Sequence, residues 1–212
     1  MPALRIAVAN QKGGTGKTTL ALNLAAGLQR RGSTLVLDAD PQGSISQWAA
    51  LAGDGTRLPP VWAVPQGEAG RCIDRGAREH RYLIVDCPPT LQTTGVREIL
   101  AGVDVVLIPI QPSPLDLWAS AEIVTAVRDS RAANQQLKAF VVLNQLDSRN
   151  ALSRSMHEAL AELEIPTLAA GVARRAAYRS AAVEGSSVYH LGQRGAAAAR
   201  EVEAVIEEVL KS

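Results

Sequence analysis

The sequence predicts a doubly wound α/β domain, a mostly parallel sheet flanked by helices, on two observations: apolar runs that lack polar alternation, and helical periodicity in the gaps between them. The runs are Leu4 to Asn10, Thr34 to Asp38, Val61 to Val64, Tyr82 to Asp86, Val105 to Ile110 and Ala139 to Leu146. Strands with no polar face are buried on both sides, so helices must cover the sheet above and below through right-handed crossovers. Helices are expected at Lys17 to Arg31, near Gly67 to Arg78, at Leu115 to Ala132 and at Ser153 to Leu163. Gly32 suits the position just past the first of them. From Gly171 onward the chain reads as helical, ending in a long helix from Ala196 to Leu210. The stretch Gly53 to Pro60 is too short for an interdomain linker and reads as a surface turn. In such a fold, ligands bind at the carboxyl ends of the strands.

A chain of 212 residues is long enough to bury a full core, and one domain spanning residues 1–212 is expected. With 47% hydrophobic and 20% charged residues the composition is globular, and 3% aromatics leave little for base stacking, so the core must be mainly aliphatic. A formal net charge of +1 argues against wholesale coating of nucleic acid, although it can hide a local basic face. Cys72 and Cys87 lack metal-ligand spacing and are expected to be buried thiols. Nothing at the N-terminus reads as a signal peptide and no apolar stretch is long enough to span a bilayer, so a cytoplasmic location is expected.

The first strand runs into Lys12-Gly13-Gly14-Thr15-Gly16-Lys17-Thr18-Thr19, a variant of the phosphate-binding loop between a strand and a helix. Glycines let backbone N–H groups converge on phosphate oxygens, and the helix N-terminus adds partial positive charge. Lys17 reaches the terminal phosphates and Thr18 is expected to ligate Mg²⁺. Lys12 is the unusual element. A lysine ahead of the glycines cannot easily fold back onto phosphates held by its own loop, whereas a second subunit's nucleotide is within reach.

This run resembles the deviant Walker A motif of the ParA/MinD family of ATPases, P-loop NTPases of the SIMIBI type. Val36-Leu-Asp-Ala-Asp-Pro-Gln-Gly-Ser44 is similar to the family's second acidic motif, Leu83-Ile-Val-Asp-Cys-Pro-Pro89 to its Walker B, and Val141-Val-Leu-Asn-Gln145 to its base-reading strand end. The likeness covers nearly the whole chain. Its length and the lack of an added N-terminal DNA-binding domain are similar to the small plasmid-type ParA proteins, which segregate DNA.

Phosphoryl transfer depends on positioning and charge neutralisation, so the carboxylates at strand ends are the informative residues. Asp86 closes a buried apolar strand, where a Walker B carboxylate holds the Mg²⁺ shell through water, and Pro88-Pro89 would stiffen the segment that follows. Asp38 and Asp40 stand two apart, and the resemblance implies that Asp40 orients the attacking water while Asp38 supports the metal. The alternative is a turn in which Asp side chains bond their own backbone, since Pro41 and Gly43 follow. Asn144 ends another apolar strand, where an amide can both donate to and accept from an adenine edge, and the resemblance favours ATP. The run Asn144-Gln-Leu-Asp147 lacks the guanine signature. Although the nitrogenase iron protein shares the implied fold, Cys72 matches no cluster-ligand position.

Arg154, Arg174, Arg175, Arg179 and Arg194 lie between Arg149 and Arg200, while acidic residues gather at Glu158 to Glu164 and in the final helix. In the family, basic residues of this region bind DNA without reading sequence. Arg149, Arg175 and Arg179 are the candidates, against exposed ion pairs with nearby glutamates as the alternative. The acidic final helix argues against membrane binding, because anionic lipid would repel it. The expected activity is therefore an ATPase, in which ATP binding closes a homodimer with Lys12 of each copy on the other's phosphates. Hydrolysis through Asp40 and Mg²⁺ then releases the dimer and the nucleoid DNA. A ParB-like partner with a basic N-terminal segment is implied, and the cargo is a plasmid, a chromosome or a protein compartment. A MinD-like membrane switch and a small ATP-dependent metabolic ligase on the same fold are the alternatives.

Overall fold

The structure, a computed structural model, describes residues 2–53, 58–90, 94–113, 116–117, 120–147 and 154–212. Half of the surface turn expected at Gly53 to Pro60, residues 54–57, lies outside these residues. The strands are β1 Leu4–Val8, β2 Thr34–Asp38, β3 Val61–Ala63, β4 Tyr82–Asp86, β5 Val105–Ile110, β6 Lys138–Leu146 and β7 Val172–Ala173. They form one sheet in the order β3-β2-β4-β1-β5-β6-β7, and every pairing is parallel.

The helices are α1 Lys17–Gln29, α2 Ser44–Ala50, α3 Ala69–Glu79, α4 Thr94–Gly102, α5 Ala121–Ser130, α6 Arg154–Glu162, α7 Ala176–Val183 and α8 Ala196–Lys211. Alternate residues of one strand serve opposite cores, as a two-faced parallel sheet requires. Ile6, Val8, Val36, Ile84 and Leu107 face the core built with α1 and α8. Ala7, Leu35, Leu37, Leu83, Val85 and Val106 face the core built with α3, α4 and α5. The middle of α1 is buried on all sides, from Leu20 to Leu28, so its position under the sheet is fixed and with it the loop from which it starts.

Three expectations need correction. The region after Gly171 is not wholly helical, because Val172–Ala173 adds β7 to the sheet edge. Its short, irregular register with β6 carries no periodicity that a sequence reading can detect. Helices α2 and α4 escape the pattern as well. Pro41 and Gly43 make the start of α2 look like a turn, yet the Asp38 carboxylate reaches forward and accepts from the Ser46 N–H at 3.0 Å, anchoring the first turn. Cys87 is fully buried as expected, but Cys72 is only half-buried on α3.

Three of the four glutamates of α8 are engaged within the molecule. Glu208 accepts from the N–H groups of Ala169 and Ala170 at 2.8 and 2.9 Å, and Glu201 accepts from that of Ala173 at 3.2 Å. They satisfy backbone donors along the sheet margin that no further strand pairs. Glu203 pairs with Arg31 at 2.7 Å, while Val202, Val205, Ile206 and Val209 fill the core. Among the described residues no helix is long and apolar enough to cross a membrane.

The approach of α8 to the preceding 3₁₀ turn, Val188–His190, depends on Gly195 having no side chain. A Cβ there would lie 1.9 Å from the Val188 carbonyl oxygen, a backbone atom that cannot swing away. Gly195→Ala is expected to destabilise the fold by about 1–3 kcal/mol. Urea unfolding should show a lower midpoint with an unchanged slope.

Candidate functional site

The phosphate loop, residues 10–17, connects the end of β1 to α1 at the carboxyl edge of the sheet. Asn10 is fully buried and donates from Nδ2 to the Pro109 carbonyl at 2.9 Å, tying the loop's entrance to β5. Gly14 and Gly16 have φ of 78° and 89°, conformations that side-chain-bearing residues rarely adopt. At Gly16 a Cβ would also stand 2.4 Å from Asn144 Nδ2. The crest is gripped from outside, because the side-chain amides of Gln111 and Gln145 both donate to the Gly14 carbonyl, at 2.9 and 2.8 Å. Lys17 is buried, with its ammonium 3.4 Å from the Lys12 carbonyl. Burial lowers its pKa, and the Asp86 carboxylate opposes that shift.

Asp38 and Asp86 sit opposite each other in the pairing of β2 with β4, at the last residue of each strand. Both are buried. Asp86 accepts from the Thr18 hydroxyl at 2.7 Å, and Asp38 from the Ser46 hydroxyl at 2.5 Å. The second oxygen of each, Oδ1, is buried and accepts no hydrogen bond among the described residues. Two orphaned carboxylate oxygens beside a threonine hydroxyl fit a hydrated divalent cation of the Mg²⁺ type, which takes oxygen ligands and retains several waters. Burial pushes the Asp86 carboxyl up to about 7, the Thr18 hydrogen bond opposes the rise, and the Asp38 charge adds to it.

Asn144 is also buried. Its Nδ2 donates to the Thr15 carbonyl at 2.6 Å, and its Oδ1 accepts from the Gln145 N–H at 2.9 Å. It therefore braces the loop while standing in the wall of a cavity of about 290 Å³. Thr19, Leu20, Val172, Tyr178 and Arg179 line that cavity too. Its size and mixed lining suit a nucleoside base beside a phosphate cradle.

A family model for the CobQ/CobB/MinD/ParA nucleotide binding domain matches residues 6–188 of this chain. The chain belongs to that family. Among curated relatives, the maintenance of carboxysome distribution protein A of Halothiobacillus neapolitanus is 40% identical, covering 99% of this chain and 98% of that protein. Chromosome partitioning protein ParA of Caulobacter vibrioides is 30% identical over 73% of this chain and 74% of its own length. The fold is similar to that of a variant of McdA from Cyanothece solved with ATP, with a TM-score of 0.71 at 17% identity and coverage of 98% and 96%.

Within this ParA/MinD-type frame the residues singled out in the sequence fall into three groups. Residues 13–19 of the loop, Asp38, Asp86 and Asn144 converge on one site. Lys12 and Asp40 border it. The Lys12 ammonium lies 2.5 Å from Asp116 Oδ1, turned away from its own loop. Asp40 Oδ1 accepts from the Gln42 N–H at 2.9 Å, the local turn bond that its sequence context allows. Of the proposed DNA arginines, Arg175 and Arg179 both line the 290 Å³ cavity, Arg175 is also tied to Glu201 at 2.6 Å, and Arg149 lies outside the described residues.

Four residues escape the sequence reading: Ser46, Gln111, Asp116 and Gln145. Gln145 adjoins Asn144 and holds φ of 56°, a left-handed conformation unusual for a side-chain-bearing residue. Gln111 directly follows β5, a strand-end position that could have marked it. Asp116 and Ser46 have no comparable signal, since only folding brings them to the loop and to Asp38.

The raised Asp86 carboxyl has a consequence for stability. Without metal the folded protein retains a proton that the unfolded chain, with an ordinary carboxyl, releases at about pH 4. Stability of the metal-free protein should therefore fall as pH rises from about 4 to about 7. Asp86→Asn is expected to flatten that fall, as read by urea unfolding at several pH values.

Proposed function

We propose that this chain is a Mg²⁺-dependent ATPase that forms a face-to-face dimer on ATP, binds DNA without sequence preference and uses that cycle to position a cargo. The observation that carries the reading is the placement of Lys12. Its backbone belongs to the phosphate loop, while its side chain points out of the loop and is 37% exposed, available to a second copy. Lys17, the backbone N–H groups of Gly13 to Thr19 and the start of α1 hold the phosphates of ATP, and Asn144 stands beside its base. Thr18, Asp86 and Asp38 would hold Mg²⁺, which neutralises charge on the phosphates. Asp40, on an exposed turn next to Asp38, exchanges its local bond for a water aimed at the terminal phosphate.

Lys12 of each copy reaches the other's phosphates, so nucleotide lies between the two chains and its hydrolysis loosens them. DNA contacts come from arginines of the C-terminal third, Arg175 and Arg179 with Arg149. Two copies double those contacts, so retention on DNA follows ATP occupancy. A basic partner of the ParB kind stimulates turnover, and the site of action is the cytoplasm at the nucleoid. The near full-length similarity to a carboxysome distribution protein favours a protein compartment as cargo over a plasmid or a chromosome. Membrane docking by α8 is not part of the reading, because its apolar stripe is buried and three of its glutamates have internal partners.

Asp40→Ala is expected to dimerise with ATP and to lose hydrolysis by about a hundredfold or more. Light scattering and phosphate release read the two properties separately, and a monomeric Asp40→Ala protein in saturating ATP would refute the assignment. Replacing Arg175 and Arg179 together with Ala should weaken ATP-dependent DNA retention and reduce its salt dependence by about two phosphate contacts. An unchanged salt slope moves the DNA surface elsewhere.

A further inference from the structure

The residue that holds Lys12 in the isolated chain is Asp116, on the segment that follows β5. The contact joins unequal partners: the lysine side chain is 37% exposed, the aspartate side chain only 6%. Asp116 Oδ1 accepts no aligned hydrogen bond among the described residues, so its compensation there is the charge of Lys12 alone. A buried carboxylate stripped of its cation is strongly unfavourable, whereas an exposed ammonium released to water is not. The pair therefore restrains Lys12 far more than its surface position suggests.

Both ends are mounted on fixed supports. The Lys12 N–H donates to Asn10 Oδ1 at 3.2 Å, and its carbonyl accepts from the Thr15 hydroxyl at 3.2 Å and from the Lys17 ammonium. The Asp116 N–H donates to the Ser113 carbonyl at 3.0 Å, and its carbonyl accepts from the Ser120 hydroxyl at 2.8 Å. Neither backbone needs to move for the contact to break. A rotation of the Lys12 side chain suffices, giving two discrete positions for one ammonium.

We infer that Asp116 is an autoinhibitory partner of Lys12: it keeps the lysine in its own subunit until a second, nucleotide-loaded copy offers phosphate oxygens in exchange for the carboxylate. This rests on the reading that Lys12 acts across the dimer. The latched population lowers the apparent affinity of one copy for another by the fraction of chains in which Lys12 is free. Triphosphate bound in the partner supplies more negative charge than one carboxylate, so the exchange favours a loaded partner over an empty one. Asp116 would thus help to make dimerisation conditional on nucleotide.

The test is dimer formation by the full chain, followed by light scattering against concentration of a non-hydrolysable ATP analogue with Mg²⁺. Asp116→Asn keeps the shape and removes the charge, and Asp116→Ser is a second neutral variant should the first fold poorly. Either is expected to reach half-maximal dimer at about tenfold lower analogue concentration than the natural chain. The gain should vanish in the Lys12→Ala background, where there is no ammonium to release. Unchanged or weaker dimerisation by folded Asp116 variants, with Lys12→Ala still defective, overturns the latch and leaves the cross-subunit role of Lys12 standing. Lys12→Ala dimerising as well as the natural chain overturns that role itself.

Discussion

The constraint on which the site depends is the pairing of β2 with β4, which sets Asp38 opposite Asp86 at the carboxyl edge of the sheet. Two buried carboxylates at the ends of neighbouring strands repel each other, and each is left with an oxygen that accepts no hydrogen bond among the described residues. Such a pair persists because its surroundings hold it: Thr18 from the start of α1 and Ser46 from α2 each donate to one of the aspartates. A cation brought between them would relieve what the fold cannot relieve alone.

The phosphate loop is held with matching care. Its glycines give a backbone that can approach a ligand closely, but the same freedom would let the loop wander. Asn10 pins its entrance, Asn144 pins its exit at Thr15, and two glutamines, one just past β5 and one in β6, converge on Gly14. Each of these tethers comes from the carboxyl edge of the sheet, so the loop's shape is inherited from the strand order. Lys17 remains buried on an internal carbonyl, the only charged group of the loop directed inward.

Charge is used differently at the strand ends and along α8. At the ends of β2 and β4, Asp38 and Asp86 each keep a buried oxygen that accepts no hydrogen bond among the described residues. Along α8, Glu201, Glu203 and Glu208 are consumed by arginines and backbone donors. An acidic helix that looks like a repelling tail in sequence is thereby a structural seam. Its carboxylates close the sheet margin, and its aliphatic face completes one of the two cores.

The sequence by itself determined the fold class, the phosphate loop and the strand-end aspartates, because each is encoded by neighbours along the chain. Uniformly apolar runs specify buried parallel strands, glycine spacing specifies a loop that admits phosphate, and Asp at the end of such a run specifies a carboxylate at the ligand edge. Only tertiary structure decided how these parts are held: β7 joined by two residues, the Asn144 amide turned onto Thr15, Gln111 and Gln145 meeting at one carbonyl, and Asp116 facing Lys12. Lys12 and Asp116 are 104 positions apart in the chain and carry no shared local pattern. Contacts of that kind arise from strand order and crossover geometry, which periodicity constrains in class but not in atomic partner.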